Sequence, residues 1–171
     1  LIIVNTGTGK GKSTAAFGMV FRGIAHGMPC AVVQFIKGAM ATGERDLIQQ
    51  HFPELCEFHT LGDGFTWDTQ DKEKDIASAK KAWCKAKELI SDKKKKIILL
   101  DEINIALRYG YVEIDDVITF LLEKKPKMTH VILTGRNANE KLIGIADLVT
   151  DMTLVKHHFR NGVMSQPGIE F

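Results

Sequence analysis

The run Val4-Asn5-Thr6-Gly7-Thr8-Gly9-Lys10-Gly11-Lys12-Ser13-Thr14 limits what this chain can fold into more than any other segment. It follows an apolar, strand-like stretch from Leu1 to Val4 and opens a helical one. Glycines let the backbone curl so that successive N–H groups point inward, and a helix starting near Lys12 adds its positive end. Strand, glycine-rich loop and helix in that order make a cradle for a triphosphate. The candidate nucleotide-binding residues are therefore Gly7, Thr8, Gly9, Lys10, Gly11, Lys12, Ser13 and Thr14. Lys12 would bridge phosphate oxygens and is the candidate catalytic residue; the Ser13 hydroxyl would sit on Mg²⁺. The spacing departs from G-x-x-x-x-G-K-[ST] at one point. Counting back from Gly11, the first glycine position holds Thr6, and Gly7 comes one residue late. The loop is expected to be shorter by one residue or differently shaped.

Apolar β-branched runs recur at Cys30 to Ile36, Ile97 to Leu100, Val131 to Leu133 and, more weakly, Leu148 to Val155, with a further short strand at Cys56 to Leu61. Continuous short runs of this kind suit strands buried on both faces. Between them, Ile76, Ala79, Trp83, Ala86 and Ile90 mark one helix face, and Ile114, Val117, Ile118 and Leu121 another that ends before Pro126. Glu140 to Ala146 is a shorter helix candidate. Strands alternating with helices predict an α/β fold: a single P-loop NTPase-like (RecA-like) domain over residues 1–171, with a mostly parallel central sheet flanked by helices. Ligands of such sheets bind beyond the carboxyl ends of the strands, where every chemical motif of this chain falls.

Ile97-Ile98-Leu99-Leu100-Asp101-Glu102 is an apolar strand ending in two acids. Beside a phosphate loop, such a terminal carboxylate helps hold Mg²⁺. Asp101 and Glu102 are thus metal candidates with Ser13. Neighbours on a strand face opposite ways, so one should face the metal while the other caps the next helix or touches substrate. A third strand end, Leu133-Thr134-Gly135-Arg136, brings a guanidinium that either neutralises a phosphate or joins an ordinary surface ion pair.

Composition narrows the chemistry further. A net charge of +2 on 171 residues gives no basic stripe for nucleic acid, and the Lys93 to Lys96 run reads as a solvated helix end. No apolar run reaches the roughly 18 residues that cross a bilayer, and no secretory leader is visible. Cys30, Cys56 and Cys84 stand far apart, without a Cys-x-x-Cys pair, as expected for reduced thiols in a cytoplasmic protein. Because Leu1 already lies in a strand-like run, a natural N-terminal segment is expected to precede it. A GTPase would carry Asn-Lys-x-Asp, which is absent; a small-molecule kinase stays open. His157-His158 reads as a surface or capping pair rather than a metal site.

The loop Gly62-Asp63-Gly64-Phe65-Thr66-Trp67-Asp68 sets two aromatics among polar turn residues, either packed into the core or facing a planar apolar ligand. Together with the phosphate loop, Gln34-Phe35-Ile36-Lys37-Gly38, Leu100-Asp101-Glu102, Thr134-Gly135-Arg136, Val155-Lys156-His157 and the ending Gly168-Ile169-Glu170-Phe171, it resembles the P-loop type of ATP:corrinoid adenosyltransferase over essentially the whole chain. The shortened phosphate loop is itself typical of that family. The resemblance implies transfer of the 5′-deoxyadenosyl group of ATP to Co(I) of a corrinoid, cobalamin or cobyrinic acid a,c-diamide, with release of triphosphate. It also implies a nucleotide reversed in the loop, Phe65 and Trp67 lining the corrinoid site, a homodimer, a covering N-terminal segment, and a reductase or flavoprotein as electron donor. A Co(I) nucleophile has no proton to lose, which accounts for the lack of an evident general base.

Overall fold

The computed structural model of the chain describes residues 1–36, 42–61 and 72–170. Among these residues six strands form one sheet: β1 (Ile2–Thr6), β2 (Cys30–Gln34), β3 (Cys56–Thr60), β4 (Ile97–Asp101), β5 (His130–Thr134) and β6 (Leu148–Asp151). Their spatial order is β3-β2-β4-β5-β1-β6, and every pairing is parallel. The helices are α1 (Lys12–Ala25), α2 (Gly43–His51), α3 (Lys72–Ser91), α4 (Ile103–Arg108), α5 (Ile114–Glu123) and α6 (Glu140–Ile145).

The pleat divides the core between the two faces of the sheet. Val4, Val33, Leu100 and Leu133 pack toward α3 to α6, whereas Ile3, Val32, Leu99 and Ile132 pack toward α1 and α2. Residues on both faces are fully buried, so the strands read as unbroken apolar runs rather than as alternating ones. Each such Leu or Ile contributes about 1.5–3 kcal/mol of transfer free energy. On α3, Ala79, Ala82 and Ala86 let the helix approach the sheet closely while Trp83 fills the space toward α5. Its indole N–H donates to Asp116 Oδ2 at 2.6 Å.

Three sequence expectations change in detail. The run Leu148 to Val155 stays in the sheet only to Asp151, after which the chain turns across the loop that follows β1. Helix α2 was not expected; it buries one residue, Ile48, and so shows no apolar stripe. Lys95 is no solvated helix-end charge: its ammonium pairs with Glu57 of β3, and its side chain is mostly covered. No described helix is long and apolar enough to cross a membrane. The parallel order brings the carboxyl ends of β1, β2, β4 and β5 together at one edge, which is where the site forms.

Candidate active site

β1 delivers its loop into a tight space. Gly7 adopts φ 98°, and a Cβ there would come within 2.2 Å of Asp151 Oδ1 and 2.6 Å of the Met152 nitrogen. A Cβ on Gly9 would lie 2.7 Å from the Met152 carbonyl oxygen. Only glycine fits at either position. Two backbone bonds fix the contact: Gly9 N–H donates to Met152 O at 2.6 Å, and Met152 N–H donates to Thr6 O at 2.9 Å. Gly11, at φ 104°, then turns the chain into α1.

Lys12 opens that helix and is 7% exposed. Its ammonium donates to the Gly9 carbonyl, within the loop. Burial pushes its pKa below the usual lysine value, Arg136 and Lys10 push it further down, and the Glu102 carboxylate opposes them. Burial thus disfavours the charged form of this lysine, and a polyanion beside it would favour that form.

Asp101, the last residue of β4, is fully buried. Ser13 Oγ donates to its Oδ1 at 2.7 Å, Thr134 Oγ1 donates to the same oxygen at 2.8 Å, and Gln34 Nε2 donates to Oδ2 at 3.1 Å. Residues from the ends of β2, β4 and β5 and from the start of α1 thus share one carboxylate. Glu102 leaves the strand at once. It takes a left-handed conformation, φ 63°, its N–H donates to Thr134 Oγ1 at 2.9 Å, and its side chain turns to the same cleft as the loop. Backbone conformation, not strand alternation, separates the two acids. Oxygen donors of this kind suit a small hard cation, and Ser13 with Asp101 places a hydroxyl and a carboxylate side by side for one.

The cleft holds about 430 Å³. Gly9 to Thr14, Glu102, Arg136, Phe21 of α1, the first turn of α2 and the segment Gly168 to Glu170 line it. Of the expected nucleotide-binding residues, Gly7 and Thr8 lie outside the lining, and Thr8 is exposed. Lys10 points to the chain end: its Nζ is 2.6 Å from Glu170 Oε1, which also lies 3.3 Å from His158 Nε2. Gln166 N–H donates to Glu170 Oε2 at 2.8 Å and holds that carboxylate in place. Arg136 lines the cleft and makes no ion pair among the described residues. His157 caps the 3₁₀ turn His158–Asn161 by accepting from Phe159 N–H at 3.3 Å. Phe65 and Trp67, like Lys37, Gly38 and Phe171, lie outside the described residues.

Sequence reading did not single out Gln34 or Glu170 as site residues. A polar side chain ending the apolar run of β2 was the available signal for Gln34. Glu170 is 160 residues from Lys10, and no local pattern joins them.

Comparison with known proteins places this geometry. The sequence model of the family "ATP:corrinoid adenosyltransferase BtuR/CobO/CobP" matches residues 1–171. A corrinoid adenosyltransferase of a Sinorhizobium species is 68% identical over 171 residues, covering 100% of this chain and 80% of that protein. Corrinoid adenosyltransferases of Pseudomonas aeruginosa and Escherichia coli K12 are 49% and 42% identical, each over 100% of this chain and over 83% and 85% of theirs. Among solved structures, a KaiC-like protein of Pyrococcus horikoshii superposes with a TM-score of 0.56 at 20% identity, over 91% of this chain and 73% of the other. The flagellar accessory protein FlaH of Methanocaldococcus jannaschii gives 0.59 at 14% identity, over 88% and 69%. These two speak for the RecA-like fold alone. On the full-length match, the chain belongs to the ATP:corrinoid adenosyltransferase family.

Proposed function

We propose that this chain, acting as one ATP-binding domain, transfers the 5′-deoxyadenosyl group of ATP to the cobalt of a reduced corrinoid and releases tripolyphosphate. The observation that carries the reading is the meeting of a buried Lys12 with the Ser13–Asp101 pair at the edge of one cleft. Co(I) gives its electron pair to C5′, the C5′–O bond breaks with its pair going to the triphosphate, and cobalt ends as Co(III). No proton moves in that exchange. What the residues must do is align the nucleotide and hold the charge of the leaving group.

Lys12 and Arg136 would supply cationic charge to the phosphate oxygens, with the amides from Gly9 to Thr14 around them. Lys12 would give up the Gly9 carbonyl to do so, and the triphosphate would offset the burial that lowers its pKa. Ser13, Asp101 and Glu102 would hold Mg²⁺, which when bound spreads the charge of the departing triphosphate. The Thr134 and Gln34 donors orient Asp101 for this, and they would remain were Ser13 to turn to the metal. Phe65 and Trp67 would line the corrinoid, cobalamin or cobyrinic acid a,c-diamide, and keep donors away from its lower face. A reductase or flavoprotein would supply the electron, and the enzyme would work as a cytoplasmic homodimer in vitamin B12 metabolism.

Product analysis tests the proposal. Incubation with ATP, Mg²⁺ and a chemically reduced corrinoid should yield tripolyphosphate and an adenosylated corrinoid in equal amounts. ADP would make the protein a kinase or ATPase instead, and unaltered ATP would leave only a nucleotide-binding module.

A further inference from the structure

Part of the cleft is chemically unlike the phosphate loop. The first turn of α2 brings Thr42, Gly43, Glu44 and Leu47 to the lining, and Phe21 of α1 lies with them. Thr42 is the N-cap of this nine-residue helix, in extended conformation at φ −119° and ψ 138°. A threonine there ordinarily accepts a hydrogen bond from the second or third helical N–H. This one makes no such bond. It is 6% exposed, and its Oγ1 is buried without a hydrogen-bond partner among the described residues. An unpaired buried hydroxyl destabilises the fold unless something arrives to pair with it.

Its neighbours say what that is. Glu44 is half-buried, makes no ion pair among the described residues, and sits with Asp46 in the first helical turn. Asp46 pairs with Arg45 at 3.3 Å and lies outside the lining, so Glu44 is the carboxylate that faces the cleft here; it complements the positive helix end and would repel a phosphate. A carboxylate accepts hydrogen bonds only, and the groups of a nucleotide that donate are the sugar hydroxyls and the amino group of the base. Leu47, 43% exposed, and Phe21 supply the apolar surface that a purine ring requires. The cleft is therefore polarised: amides and cations, with Glu102 and the Lys10-paired Glu170 among them, at the loop, and acceptor, hydroxyl and apolar groups at α2.

We infer that the first turn of α2 is the nucleoside-reading wall of the cleft. Glu44 accepts hydrogen bonds from the ribose hydroxyls, the Thr42 hydroxyl pairs with the nucleoside, and Leu47 with Phe21 packs against the base. The inference rests on the nucleotide reading proposed above, and it assigns the two ends of the ligand to opposite chemistries.

Calorimetric titration separates those ends by using three probes with Mg²⁺: ATP, 2′,3′-dideoxy-ATP and inorganic tripolyphosphate. Glu44→Gln should weaken ATP by about tenfold, the effect of losing charge-assisted hydrogen bonds, and leave tripolyphosphate within about twofold. Dideoxy-ATP should bind the wild type and Glu44→Gln equally. Leu47→Ala, an exposed position where folding is not at risk, should weaken both nucleotides and spare tripolyphosphate. Equal losses for ATP and tripolyphosphate in Glu44→Gln, or weaker tripolyphosphate binding in Thr42→Val, would overturn the assignment and make α2 a phosphate site. A wild type that discriminates as expected but forms no tripolyphosphate from ATP and reduced corrinoid would sink the transferase reaction and leave this wall standing.

Discussion

Replacing Thr134 by valine removes two hydrogen bonds and almost no volume. The Thr134 hydroxyl is fully buried, donates to Asp101 Oδ1 at 2.8 Å and accepts from Glu102 N–H at 2.9 Å. A bond to an ionised partner is worth about 1.5–3 kcal/mol, and an amide left unpaired costs about 1–3 kcal/mol more. Two features place the sum toward the lower end: Asp101 keeps Ser13 and Gln34 as donors, and the Glu102 amide is only partly buried. A loss of about 2.5–4 kcal/mol follows, which in a chain of this size lowers Tm by roughly 5–15 °C. Thr134→Ser keeps the hydroxyl and should forfeit only about 1 kcal/mol for the missing methyl. Urea and thermal unfolding of the three proteins supply the numbers. A valine variant within about 2 °C of wild type, or a serine variant as unstable as the valine one, would refute the carboxylate hub as a source of stability.

The glycines give a contrast of sign. Gly7→Ala drives a Cβ into Asp151 and the Met152 backbone at φ 98°, and should unfold the loop or abolish nucleotide binding in titration. Gly18→Ala, with nothing within 4 Å of the new methyl in the middle of α1, should raise stability by about 0.5–1 kcal/mol. Burial raises the Cys30 thiol to about 11 and Cys56 to about 12, so native protein at pH 8 should take up iodoacetamide at the exposed Cys84 alone, counted by mass spectrometry. Between the ordinary thiol value of 9.0 and about 11 the unfolded chain sheds protons that the folded one keeps, so stability should fall as pH rises there. Trp67→Ala should depress corrinoid turnover far more than ATP affinity, whereas Lys12→Ala should abolish triphosphate binding; equal loss of both functions at Trp67 would assign it to packing.

The strands and the glycine-rich turn after β1 were legible because their signals are local. Unbroken apolar runs mark strands buried on both faces, and Gly9 and Gly11 sit where a Cβ or an ordinary φ cannot. What escaped was decided between distant segments. β6 ends at Asp151 because Met152 leaves the sheet edge to bond Gly9, a contact 143 residues along that hydrophobicity cannot encode. α2 hides because one buried Ile48 makes no stripe, although Thr42-Gly43-Glu44 carried the composition of a helix start. The directions that Asp101 and Glu102 take were set by a single left-handed residue, Glu102, rather than by strand alternation.

Which bond breaks is the most direct question, because a phosphoryl-transfer enzyme and an adenosyl-transfer enzyme could both use a cleft built in this way. ATP carrying ¹⁸O in the bridge between C5′ and the α-phosphorus answers it when incubated with reduced corrinoid and the products are weighed by mass spectrometry. Attack at C5′ sends the label into tripolyphosphate and leaves an adenosyl corrinoid free of it. Label retained on the nucleoside product would mean attack at phosphorus, and would contradict the account at its root.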